Sequence, residues 1–180
     1  LGADVIKIEE PVHGDYMRRR GSDNRLRERH MGDHFLSQNA NKRSLAIDLK
    51  DPRGASLVRR LAVDADVLTE NFRPDVAAGL GLSYDDLSAD NPGLIYLSLT
   101  AYGGGGPQSG RGAYDNVVQA AAGMMSGTGV PGSGPLKTGT PVLYYASGAM
   151  AAFAVASALF QRTHTNRGQF IDMSMQDTAI

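Results

Sequence analysis

The 180-residue sequence predicts an α/β fold, a parallel sheet with flanking helices. Three observations carry that expectation. Short β-branched or apolar runs alternate with segments of helical periodicity, which is the rhythm of βαβ units with right-handed crossovers. Leu94-Ile95-Tyr96-Leu97-Ser98-Leu99 is almost continuously apolar, as a strand covered on both faces requires. No internal repeat or low-complexity linker interrupts the chain, so residues 1–180 read as one domain.

Val5 to Ile8 forms the first expected strand, closed by Glu9-Glu10-Pro11. From His13 to Asn41 the periodicity fades and arginines take over, so this stretch reads as loop or irregular helix. Ser44 to Leu49 is a second strand. Asp51-Pro52 then supplies a helix cap followed by proline at the first helical position. That helix carries Leu57, Val58 and Leu61 on one face and ends near Asp64. Val67 to Glu70 is the next strand. Asn71-Phe72-Arg73-Pro74 turns into a short helix stopped by Gly79-Leu80-Gly81, and Ser83 caps another through Leu87. Beyond the strand at Leu94–Leu99 and a glycine-rich stretch, Asn116 to Met125 and Tyr145 to Gln161 are helical. Phe170 to Met175 alternates as a last strand. The apolar run from Tyr144 to Phe160 is weighted toward Ala and Gly rather than Leu, Ile and Val. It therefore reads as a buried helix and not a membrane span.

Composition narrows the function classes. Eighteen basic against nineteen acidic residues leave a net charge of −1, so no overall field draws the chain to nucleic acid or membrane. The absence of cysteine removes disulfides, thiolate nucleophiles and cysteine-based metal sites. Glycine is the one excess: there are 22, gathered largely between 103 and 139. The chain opens without Met or a signal pattern and stops just after a strand, so a cytoplasmic protein cut at both ends is expected.

Several familiar signatures are missing, among them the G-x-x-x-x-G-K-[ST] phosphate loop and the G-x-S-x-G nucleophile turn. Gly127-Thr128-Gly129-Val130-Pro131-Gly132 matches G-x-G-x-x-G, yet it follows a helical pattern and holds a proline, and it reads as incidental. His30 and His34 have helical metal-pair spacing, but Gly32 lies between them and no third ligand follows; no metal site is expected. The run from Arg18 to Arg29 has the charge to grip phosphates or RNA. It lacks interleaved aromatics and is diluted by Asp23 and Glu28, and it reads as a solvated loop. Asp85-Asp86 is a charged first helical turn.

A series of blocks carries more. They are Leu1 to Glu9, Asn41 to Lys50, Ala65 to Pro74, Gly79-Leu80-Gly81, Asn91 to Tyr96, Tyr114 to Val117 and Arg167 to Asp172. In this order they resemble the family III CoA-transferases, also called the CaiB/BaiF family, which includes formyl-CoA transferase, carnitine CoA-transferase and α-methylacyl-CoA racemase. The resemblance implies about half of a full-length member, a Rossmann-like large domain that binds CoA. It also implies an interlocked homodimer, acyl-CoA and a carboxylic acid acceptor as substrates, and no metal. CoA needs cations for its phosphates, an apolar clamp and a closely approaching backbone. Carried over block by block, Ile47 and Lys50 stand beside the adenosine phosphate end. Asn71, Phe72 and Arg73 line the pantetheine and pyrophosphate, with Leu80 nearby, and Tyr114 and Asp115 lie near the thioester. Glu10 and Gly79 depart from the family's basic residues, with Arg73, Arg111 and the Arg18–Arg20 run as candidate substitutes.

The larger departure is catalytic. A family transferase attacks the thioester with an aspartate carboxylate, forming a mixed anhydride and then an aspartyl-CoA thioester. Counting back from Arg167-Gly168-Gln169 and forward from Tyr114-Asp115-Asn116, that position falls on Tyr144, and no Asp or Glu lies between Asp115 and Asp172. The racemase branch also uses a histidine at the position of Tyr114, so both its proton-transfer residues are absent. CoA transfer between carboxylic acids is the leading expectation, with Tyr144 and Asp115 as the catalytic candidates. A noncatalytic CoA-binding member is the alternative and a racemase the third reading.

Overall fold

A computed structural model of the chain describes residues 2–180; Leu1, which opens the first of the blocks above, lies outside the described residues. The chain divides into two compact units, one ending at Leu57 and one spanning Val58–Ile180.

In the first unit, β1 (Val5–Glu9) pairs in parallel with β2 (Lys42–Ala46), Val5 opposite Lys42 and Glu9 opposite Ala46. Between them the arginine-rich stretch folds as a 3-10 turn (Tyr16–Arg19) and two short helices, α1 (Asn24–Glu28) and α2 (Asp33–Gln38). The turns start where they do because carboxylates cap them. Asp15 accepts the N–H of Met17, and Asp23 accepts those of Arg25 and Leu26. The buried Glu9 knots the unit together. Its carboxylate accepts both Nε and Nη2 of Arg18 (2.7 and 2.8 Å), Oγ of Ser44 (2.6 Å) and the N–H of Asp15 (2.9 Å). The Arg18 guanidinium in turn lies 3.8 Å over the Phe35 ring. β2 ends three residues earlier than expected. Ile47 still donates to Glu9 O (2.9 Å), but Oδ1 of Asp48 then accepts the Lys50 N–H and turns the chain toward α3 (Pro52–Val63).

The second unit is built on β3 (Val67–Glu70), β4 (Ile95–Thr100) and β5 (Gln169–Ser174), all parallel, with β4 in the middle. The helices are α4 (Val76–Gly79), α5 (Tyr84–Ser88), α6 (Asp115–Ala121), α7 (Val142–Thr165) and α8 (Met175–Thr178). Leu94 and the first half of β4 are buried, as their apolar run requires. Tyr96 donates its buried hydroxyl to Leu82 O (3.0 Å), and its ring meets those of Tyr84 and Phe170. Asp86 closes a capping box with Ser83 at the start of α5. At the entry to β5 only glycine fits, because a Cβ on Gly168 would lie 1.9 Å from Leu94 O. The far end of α7 is pinned by Arg162, which donates to Gly93 O (2.9 Å) and to Asp66 Oδ1 (2.6 Å). The α/β class with parallel strands and flanking helices is therefore the one observed.

Two expectations need correction. The helix read from Asn116 to Met125 stops at Ala121, because Gly123 adopts φ +80° and a separate 3-10 turn (Met124–Gly127) follows. The Ala-rich helix is longer than expected and is not buried. Its small residues Ser147, Ala151 and Ala158 face inward, together with Leu143, while Phe153 and Phe160 are 69% and 70% exposed. By length and composition alone α7 would also suit a bilayer, a test that soluble core helices pass too.

Candidate functional site

The N-terminus of α7 has no side-chain cap of its own, since Pro141 occupies that position. Its first backbone N–H groups need an acceptor nonetheless. Asp115, the first residue of α6, supplies it from 28 residues away: its Oδ2 accepts the N–H of Leu143 at 2.7 Å and that of Tyr144 at 3.3 Å. Its Oδ1 accepts Nε2 of Gln119, one turn on. Gln119, only 1% exposed, also clasps Thr138. It donates to Thr138 Oγ1 (2.9 Å) and accepts the Thr138 N–H (3.0 Å), which fixes the loop that leads into α7. Beneath this network Val118, Leu143, Ala101 and Met175 form a buried apolar cluster. The Asp115 carboxylate therefore ties the start of α6 to the start of α7.

Asp115 is thus an anchor: it is buried, and both of its oxygens are engaged within the fold. Tyr144 differs. Its backbone is held, but its side chain is 38% exposed and its phenol makes no hydrogen bond among the described residues. Tyr114, at the cap of α6, is 70% exposed.

Three other candidates of the second unit sit on the turn beyond the carboxyl end of β3, the kind of place where open α/β sheets bind ligands. Asn71, Phe72 and Arg73 follow β3 directly. Glu70 Oε2 accepts the Phe72 N–H (2.7 Å), which leaves the Phe72 ring partly exposed. The Arg73 side chain runs beside Gly112, on the glycine-rich loop after β4, so that loop and the β3 turn meet. Oδ2 of Asp172 accepts the Gly104 N–H (2.7 Å) from the same loop. Leu80 caps the end of α4 and is half-buried. In the first unit Ile47 is buried just past β2, while Lys50 is exposed and its ammonium has no acidic partner among the described residues.

The departures have local explanations. Glu10 is spent within its own turn, accepting the N–H groups of Val12 (3.0 Å) and His13 (2.6 Å). Arg18 is consumed by Glu9 and cannot substitute at a phosphate. Gly79 faces open space, so nothing in the fold requires a glycine there. No group of three or more His, Asp or Glu side chains suited to a metal occurs among the described residues.

The whole chain, residues 1–180, matches the family described as CoA-transferase family III. The chain belongs to that family. It is 39% identical to succinyl-CoA:glutarate CoA-transferase of Mus musculus, over all of this chain and 41% of the relative. It is 41% identical to succinate–glutarate CoA-transferase of Agrobacterium fabrum (98% and 45%) and 40% identical to acetyl-CoA:oxalate CoA-transferase of Acetobacter aceti (100% and 46%). Among solved structures, a CaiB/BaiF family protein from Brucella suis superposes with a TM-score of 0.91 at 39% identity, covering 99% of this chain and 47% of that one. A hypothetical protein from Mycobacterium tuberculosis does so with 0.89 at 39% identity, covering 99% and 48%. The chain spans a little under half the length of the relatives it matches.

Within this family III chain the sequence reading missed Gln119 and Thr138. Gln119 had a signal: it lies four residues after Asp115 on one helix face, the spacing at which an amide and a carboxylate meet. Thr138 had none, because a loop residue's partner is set by tertiary folding.

Proposed function

We propose that the protein containing this chain moves CoA between an acyl-CoA and a dicarboxylic acid, and that this chain supplies the CoA-binding part. The acid class is supported by the names of the relatives, whose acceptors are glutarate and oxalate. The observation that carries the reading is the strand-end turn Asn71–Phe72–Arg73 beside a glycine-rich loop. A cation, an apolar ring and an unobstructed backbone there suit a pyrophosphate and pantetheine arm. On the first unit, taken by itself, Lys50 is an exposed cation with no acidic partner among the described residues, suited to a phosphate. In full-length form we take the protein to be a homodimer, in line with the half-exposed apolar face of α7.

A second reading is favoured by one specific observation. Position 144 holds a phenol, and the nearby carboxylate, Asp115, is fully engaged in anchoring α7. On that reading the chain binds CoA or acyl-CoA without becoming covalently loaded.

Calorimetry on the full-length protein tests the shared core of both readings. CoA binds saturably, and Lys50→Ala weakens CoA by about tenfold more than dephospho-CoA, the loss of one charge-assisted phosphate contact. Absence of CoA binding would end the proposal, while equal losses for both compounds would remove Lys50 from the phosphate site.

A further inference from the structure

We propose that the first unit carries a small-oxyanion site of its own, in the cleft between its 3-10 turn, α1 and α2. The cleft has a volume of about 360 Å³ and is lined by Tyr16, Met17, Arg20, Gly21, Arg27 and His34. The site rests on none of the residues assigned to CoA.

Its walls are built without help from a bound molecule. Gly21 adopts φ +134°, a region closed to other residues, and a Cβ there would fall 1.3 Å from Oδ1 of Asp33. The carboxylate of Asp33 accepts the N–H (3.1 Å) and Oγ (2.9 Å) of Ser22 and the N–H of His34 (3.1 Å). Gly32 N donates to Arg18 O at 2.8 Å. The loop after the 3-10 turn is therefore clamped to the start of α2, so Arg20 and His34 line the same cleft.

The charges in this frame do not cancel. Asp23 is occupied with the N–H groups of α1 and with Arg25, and Asp33 with Ser22 and the backbone. Arg18 is spent on Glu9. That leaves Arg20 and Arg27 with no carboxylate partner among the described residues. The Arg20 guanidinium carbon lies 4.3 Å over the Tyr16 ring, while none of its side-chain N–H groups is used in a hydrogen bond among the described residues. A planar donor fork stacked near an aromatic ring, a second guanidinium and an imidazole around one small cleft match a compact oxyanion, either a carboxylate or a phosphate. Only part of the arginine run is thus a solvated loop: Arg18 is structural, and Arg20 and Arg27 face a shared cleft.

Full-length protein titrated with inorganic phosphate and, separately, with succinate at constant ionic strength tests the site. Saturable binding of one or both is expected, weakened about tenfold by Arg20→Gln or Arg27→Gln. Arg25→Gln, on the same helix but 90% exposed and paired with Asp23, leaves it unchanged. Tighter phosphate binding identifies a phosphate site and tighter succinate binding a carboxylate site. Arg20→Lys keeps the charge and the fold but loses the fork, and binds with intermediate strength. No saturable binding of either anion to the wild type, or an equal loss in Arg25→Gln, overturns the proposal. Retained CoA binding in the Arg20 and Arg27 variants keeps this outcome separate from that of the CoA reading.

Discussion

Asp115 and Tyr144 are joined through the backbone of the tyrosine and not through its ring: the carboxylate accepts the Tyr144 N–H at 3.3 Å, beside the stronger bond to Leu143 at 2.7 Å. The hydrogen bond that anchors residue 144 is therefore independent of which side chain it carries.

Stability measurements separate the two roles. Asp115→Ala leaves helix-terminal N–H groups and Gln119 without their acceptor in a buried setting, an expected loss of about 2–3 kcal/mol. Tyr144→Phe removes only a hydroxyl that makes no hydrogen bond, with an expected change within about 0.5 kcal/mol. Urea unfolding of the two variants checks this, and comparable losses would mean that the phenol is a strut of the fold.

The chemistry at position 144 is decided by mass spectrometry of the full-length protein after incubation with succinyl-CoA. A carboxylate that attacks a thioester forms an anhydride and expels CoA thiolate. The thiolate then attacks the enzyme's own carbonyl carbon, breaks its bond to the bridging oxygen, releases the acyl group as free carboxylate and becomes covalently bound. A phenol oxygen yields an aryl ester with no enzyme-borne carbonyl for the thiolate to attack. The wild type is thus expected to gain no CoA mass, and Tyr144→Asp to gain one. A CoA adduct on the wild-type chain would show that another residue is the nucleophile.

Glu9 makes the first unit acid-sensitive in a defined window. The Arg18 guanidinium, with help from Ser44 and the Asp15 N–H, lowers its pKa from 4.5 to about 2 despite the opposing cost of burial. A carboxyl depressed in the folded state contributes its full stability above pH 4.5 and loses it as pH falls toward 2. At most about 3 kcal/mol is lost across that window. Glu9→Gln should flatten this part of the pH–stability curve, as followed by urea midpoints; an unchanged slope would assign the acid sensitivity to other carboxylates.

Much of this was readable in the residues themselves. The burial of β4 follows from six nearly unbroken apolar positions, and α5 begins where the Ser83-x-x-Asp86 box dictates. The facing of α7 was not readable, because an Ala- and Gly-rich helix has little amphipathic contrast. Phe153 and Phe160, seven residues apart, share the outward face, and Ser147, Ala151 and Ala158 share the inward one. The anchor role of Asp115 was hidden for another reason. Its partners lie 28 and 29 positions away, beyond any local period. The turn Asn71–Arg73 was legible only through its likeness to the family, since an exposed Asn-Phe-Arg triplet has no chemistry of its own.

The backbone anchoring of position 144 has a genetic corollary. Aspartate codons (GAT, GAC) and tyrosine codons (TAT, TAC) differ in the first base alone. A single transversion thus separates this tyrosine codon from an aspartate codon, and the backbone bond to Asp115 is available to either residue. Under the proposed transfer function, a growth selection for that reaction is expected to recover Tyr144→Asp at this codon by one base change, rather than changes at compensating sites elsewhere.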